Sequence, residues 1–205
     1  GPVVATYTIP RALAVGSMYR RFVGSRIGSL DLTIQPEQFI SGAFGIVGSA
    51  EASATAAIAG STYAAAATAA KLTSLDTLAV TATGIAGTFD YAQLSLKIDN
   101  NLSPSKRLGG TPTRKVRAGQ CVVTGELQLF VEDNAWNDAY LAETPFALTV
   151  QLRNASLGYD FTMPVCAITS YSDPNTGNGG EFIATVGFEA TFDASSSTSL
   201  SITRV

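Results

Sequence analysis

The stretch Cys121-Val122-Val123-Thr124-Gly125-Glu126-Leu127-Gln128-Leu129-Phe130-Val131-Glu132 decides the fold class. Cys121, Val123, Gly125, Leu127, Leu129 and Val131 fall on one face, and Thr124, Glu126, Gln128 and Glu132 on the other. Successive side chains of a strand point to opposite faces, so this period predicts a strand with one dry side and one wet side. The same alternation recurs outward in both directions. Upstream, residues 93–99 put Leu94, Leu96 and Ile98 inward, and residues 29–35 set Leu30, Leu32 and Ile34 against Asp31, Thr33 and Gln35. Pro36 ends that run, and an apolar strand over 39–47 follows at once, as in a hairpin. Strand signals return at 77–82. Downstream, Phe146, Leu148, Val150 and Leu152 alternate, as do Tyr159, Phe161 and Met163. The run 183–192 places Val186, Phe188, Ala190 and Phe192 inward, and 200–202 forms a last strand. A short helix is expected after Asp133, which suits an N-cap, with Trp136 and Tyr140 four apart on one face as core anchors. Together these elements predict a mainly β fold, β-sandwich or barrel-like, with one short α-helix and long loops.

Three segments break the pattern. Residues 48–76 are rich in Ala, Ser and Thr, and Gly60 and β-branched residues interrupt any helix. With no stripe of large apolar side chains, this segment reads as a surface insertion, part helix and part loop. Glu51, Lys71 and the shortage of large apolar groups make it a poor membrane span. Residues 100–119 form a long polar connection with two prolines and three glycines. Connections of that length are usually functional or mobile. Residues 175–180 read as a Gly/Asn hairpin turn, since they lack the Lys-Ser/Thr ending of a phosphate loop. Ser29–Ile34 and Ser95–Ile98 resemble each other, either as a duplicated strand pair or by chance.

The chain has 205 residues, 46% hydrophobic and only 14% charged, which suits one generous domain or two small ones. So little charge suits a protein that hides surface in an assembly. The net charge of −3 conceals an uneven distribution. Lys106, Arg107, Arg114, Lys115 and Arg117 fall within twelve positions with no acid among them, leaving −8 on the rest. A local basic segment on an acidic body suits contact between copies, and equally a solvated loop.

Histidine is absent, which removes Ser-His-Asp and Cys-His nucleophiles and imidazole zinc sites. Cys121 and Cys166 have no CxxC or metal-ligand spacing and are expected as buried free thiols, with one disulfide as the alternative. No nucleophile elbow, Walker loop or zinc-protease motif occurs, and no pair among the 16 acids stands out as a glycosidase pair. We therefore expect no enzyme, no cofactor and no metal. Asn101-Leu102-Ser103 and Asn154-Ala155-Ser156 match the glycosylation triplet, but no signal peptide is visible. The chain opens Gly1-Pro2 without an initiator Met, which reads as a processed or missing start.

The second half resembles phage tail tube proteins. Ser95-Leu96-Lys97-Ile98-Asp99-Asn100-Asn101-Leu102 is similar to that family's S-L-x-I-x-N-N-L strand, and Arg107-Leu108-Gly109-Gly110 to its following x-L-G step. Gly119-Gln120-Cys121-Val122-Val123-Thr124-Gly125 resembles G-x-x-x-V-T-G, and Leu129-Phe130-Val131-Glu132-Asp133 resembles x-F-x-x-D, with Glu143-Thr144 next. Met163-Pro164, Phe188-Glu189-Ala190 and Ser201-Ile202-Thr203-Arg204 are similar to its closing strands. Residues 20–48 resemble its leading strands less distinctively, and the Ala-rich insert matches nothing in the family's pattern.

The resemblance implies a single tail tube domain over 1–205, with 48–76 as an insertion and 100–119 as a basic inter-subunit loop. It implies a virion protein of a long-tailed bacteriophage, assembled in the host cytoplasm. Such a subunit builds stacked, hexameric rings whose channel carries double-stranded DNA during ejection without binding it specifically. Tape measure and tail-end proteins would be its other partners, and no membrane span is implied. Lys106, Arg107, Arg114, Lys115 and Arg117 are the candidate inter-subunit residues; Asp31, Glu126, Gln128 and Glu189 are the candidate lumen residues. The alternatives are the tube of a contractile tail or phage-derived secretion device, or a monomeric β-sandwich binding module. Nearly all aromatics at inward positions would count against the last.

Overall fold

The structure is a computed structural model that describes residues 6–12, 18–60, 71–110, 113, 115–154, 157–173 and 181–205. It is mainly β and antiparallel, of a β-sandwich-like type, and among the described residues it holds one α-helix. The chain divides into two compact units. The first comprises Gly1–Leu30, Ala43–Thr68 and Asp99–Cys121, and the second Asp31–Gly42, Ala69–Ile98 and Val122–Val205.

In the first unit β1 (Tyr7–Ala12) and β4 (Ala50–Ala54) both pair antiparallel with the start of β2 (Tyr19–Ile34). The registers run Ile9↔Phe22 and Ala12↔Tyr19 for β1, and Tyr19↔Ala54 and Val23↔Ala50 for β4. The β1 register slips between Tyr7 and Ile9, opposite Gly24 at φ +66°. A Cβ on Gly24 would lie 2.7 Å from Ser49 Oγ, so both the backbone and the space require glycine there. β3 (Ser41–Val47) also pairs with β2, as the hairpin reading predicts. β7 (Ser103–Ser105) and β8 (Lys115–Arg117) form a separate two-stranded hairpin.

The second unit carries the core. β9 (Val122–Phe130), β12 (Ile183–Ala190), β11 (Gly158–Ser172), β10 (Phe146–Arg153) and β5 (Thr77–Thr83) pair antiparallel in that order, with β6 (Tyr91–Asp99) on the far side of β9. β13 (Ser201–Arg204) pairs with the first part of β11. The inward positions of the alternating runs are dry: Val123, Leu127, Leu129, Leu148, Val150, Met163, Val186 and Phe188 are all buried. The helix α1 (Ala135–Leu141) packs on β11. Trp136 meets Phe146 edge-on at 5.3 Å and Phe89 at 5.5 Å, and Phe146 meets Phe188 at 6.1 Å. Edge-to-face geometry suits the aromatic quadrupole and adds about 0.5–1.5 kcal/mol per pair beyond the area buried.

Five expectations need correction. Part of the Ala-rich segment is strand: Ala50–Ala54 is held by the β2 edge, because ladder pairing overrides the helical preference of its alanines, as tertiary context routinely does. The 100–119 connection is not unstructured, since Ser103↔Arg117 and Ser105↔Lys115 pair across it. Asp133 is not the N-cap residue; Asn134 is, while the Asp133 carboxylate accepts the Ala135 N–H at 2.9 Å. Tyr140 is 37% exposed and stacks on Tyr171, so only Trp136 of the helical pair is a core anchor. Phe192 lies past β12 and is 69% exposed, and Phe39, Phe44 and Phe182 are exposed as well. The aromatics are thus not nearly all inward. The 175–180 turn falls outside the described residues.

Candidate functional site: a polar sheet face and a basic hairpin

One face of the second unit's sheet is dry, and the other carries a band of polar side chains. The β9–β12 register sets Glu189 opposite Thr124, Gly187 opposite Glu126 and Thr185 opposite Gln128, so these side chains share a face. Leu127 and Leu129 point the other way and are buried. In β6 the buried Leu94 and Leu96 leave Gln93, Ser95 and Lys97 on the polar side. Asp31, Ser95, Lys97, Thr124 and Glu126 line one shallow depression, which extends the band onto β2. Gln128 Nε2 donates to Glu126 Oε1 at 3.4 Å, and Gln35 Nε2 donates to Gln93 Oε1 at 3.1 Å.

The four lumen candidates, Asp31, Glu126, Gln128 and Glu189, therefore share this face. The three acids are exposed and Gln128 is half-buried. Sequence reasoning missed Lys97, the base among those acids, although its place in the alternation of 93–99 already carried the signal. Gly125 sits on the dry side directly opposite Phe188, whose ring covers it. That close approach keeps β9 and β12 in the register that aligns the polar side chains.

The basic segment is organised by the hairpin. Lys115 and Arg117 are exposed on either side of the buried Val116. Ser105 Oγ donates to the Lys115 carbonyl at 3.0 Å, and Arg26 donates to the Val116 carbonyl at 2.8 Å. Lys106, Arg107 and the fully exposed Leu108 follow β7, and Arg114 lies outside the described residues. The base of the hairpin is tied by Asn101, at φ +46°. Its N–H donates to Asp99 Oδ1 and its side-chain amide donates to the Gln120 carbonyl. Among the described residues the salt bridges are Arg20–Glu51 and Arg153–Asp160, and neither involves the hairpin.

Both cysteines are free; Cys166 is fully buried and Cys121 is half-buried, so only one matches the buried-thiol expectation. Burial pushes the Cys166 thiol up to about 12, a backbone hydrogen bond at Leu148 opposing it slightly. Partial burial and then the Asp99 carboxylate raise Cys121. Burial also pushes the Tyr91 phenol up to about 12.

The family model for phage tail tube protein matches residues 2–190. The chain belongs to the phage tail tube protein family. That family is structural rather than enzymatic, and its members are virion tail components that assemble from many subunits into a tube. Comparison with individually curated proteins gives no match. Among the described residues no helix is long and apolar enough to cross a membrane.

Proposed function

We propose that this tail tube protein forms stacked, hexameric rings, as a single tube domain, and that the polar face of its second unit lines the channel through which DNA is ejected. The observation that supports this is the band across β2, β6, β9 and β12: Asp31, Glu126 and Glu189 against Lys97, a net −2 per chain. Basic contacts grip the phosphate backbone, so a conduit that must release DNA is better walled by acids and neutral polar groups. The basic hairpin reaches a neighbouring subunit. The tail is of the long, non-contractile kind, assembled in the host cytoplasm with tape measure and tail-end proteins.

Negative-stain electron microscopy across a concentration series tests the assembly, and rings or hollow tubes wide enough for duplex DNA are expected. Particles that stay monomeric at high concentration would favour a binding module instead. For the channel wall, Glu126→Lys is expected to leave assembly intact and to slow DNA ejection. Ejection at the unaltered rate would remove Glu126 from the wall.

A further inference from the structure

The two units carry opposite charge. Among its described residues the first unit holds eight bases and two acids, Glu51 and Asp99, for a net +6. The second holds four bases and fourteen acids, a net −10. The total of −3 therefore hides a strongly bipolar chain.

The units also differ in how well they bury their own surface. Val116 is the only buried apolar side chain among the first unit's described residues, and all others lie in the second unit. In the first unit Tyr7, Val23, Ile27, Phe44, Ile46 and Leu108 are exposed. A sheet needs one covered face to be stable, and strands this exposed gain most from docking on another surface.

We propose that the first unit is a docking arm for the second unit of another copy, held by attraction between unlike charges and by burial of its exposed apolar side chains. The inference rests on the tube reading and adds what drives the contact and which surfaces meet. A second copy is the occupant that the charges select. Pairing like units would set +6 against +6 or −10 against −10, which disfavours contact between like units. Unlike units attract, and of the contacts this allows the tube reading selects the heterologous one, which repeats from copy to copy.

The densest runs mirror each other in length. Residues 106–117 carry only bases, and residues 132–143 carry Glu132, Asp133, Asp138 and Glu143 with no base. Glu132, Asp138 and Glu143 are exposed beside α1, as Lys115 and Arg117 are on the hairpin. The hairpin of one copy thus meets the acidic surface around α1 of the next.

A charge swap tests this in the full chain. One variant carries Lys115→Glu and Arg117→Glu, the other Glu132→Lys and Asp138→Lys. Sedimentation velocity at low salt, with electron microscopy of the same samples, reads association, and Trp136 fluorescence with circular dichroism checks that each variant is folded. Each variant alone is expected to associate roughly tenfold more weakly than wild type, and wild type itself to weaken as salt rises. An equimolar mixture regains association, because the acidic hairpin of one variant meets the basic helix surface of the other, and the reverse. Wild-type tubes together with variants that assemble unaided, or with a mixture no better than its parts, overturn the docking scheme and leave the tube reading standing. Wild type that never associates overturns both.

Discussion

The packing of Phe188 over Gly125 gives a sharp test of how the polar face is held. A Cβ at Gly125 would lie 2.6 Å from the Ser95 carbonyl oxygen and closer still to the Phe188 ring. Ordinary contact begins near 3.4 Å, so the ring and the Ser95 backbone must both give by most of an ångström. Overpacking of this kind costs roughly 1–3 kcal/mol, and we expect Gly125→Ala in that range. Phe188 is buried and edge-on to Phe146, so Phe188→Ala should cost about 3–5 kcal/mol. Either is a large part of a typical total stability of about 5–15 kcal/mol. The two changes should not add. Removing the ring makes room for the new methyl, which leaves only the Ser95 carbonyl to crowd it. The double variant should therefore be about 1–2 kcal/mol more stable than the sum of the single costs implies. Urea unfolding of dilute protein, followed through the single tryptophan, Trp136, reads each midpoint, with the slope compared for constancy. Additivity within about 0.5 kcal/mol, or a neutral Gly125→Ala, would refute the claim that this contact sets the β9–β12 packing.

Cys166 and Tyr91 predict a loss of stability in alkali. Each has a folded-state value near 12, above its ordinary 9.0 or 10.0, so folding retains a proton that the unfolded chain releases. That contribution is fully present below the ordinary value and is lost as pH rises toward about 12; Cys166→Ala should flatten the fall in melting temperature above pH 9. In the native state at pH 8, iodoacetamide should label Cys121 slowly and Cys166 only on unfolding; prompt double labelling would contradict the burial of Cys166. Trp136 Nε1 is buried and makes no hydrogen bond among the described residues, so Trp136→Phe removes a donor that they leave unused while losing packing against Phe89 and Phe146. Melting by circular dichroism should show a net cost under about 1.5 kcal/mol, and a loss of 3 kcal/mol or more would point to a bond that the indole makes.

Most of the second unit was legible from period alone. Runs such as 121–132 and 146–152 keep large apolar side chains at every second position, and burial of that face leaves one register open to them. The same alternation named the polar side chains of β9, because a side chain's face follows from its parity. Weak local preferences were not legible. Ala50–Ala54 is a strand only because β2 offers a free edge, and the hairpin inside 100–119 depends on Val116 finding cover, which no local pattern announces. Exposed Phe39, Phe44 and Phe192 look like core residues when read as letters, since composition records hydrophobicity and not cover. The sequence by itself determined the β class, the dry faces of its strands, the absence of histidine chemistry and the family. Only the tertiary structure decided that Asp31, Glu126, Gln128 and Glu189 meet on one face, and that bases and acids sort into different units. Both depend on which distant strands pair, and pairing is settled by long-range packing rather than by any local period.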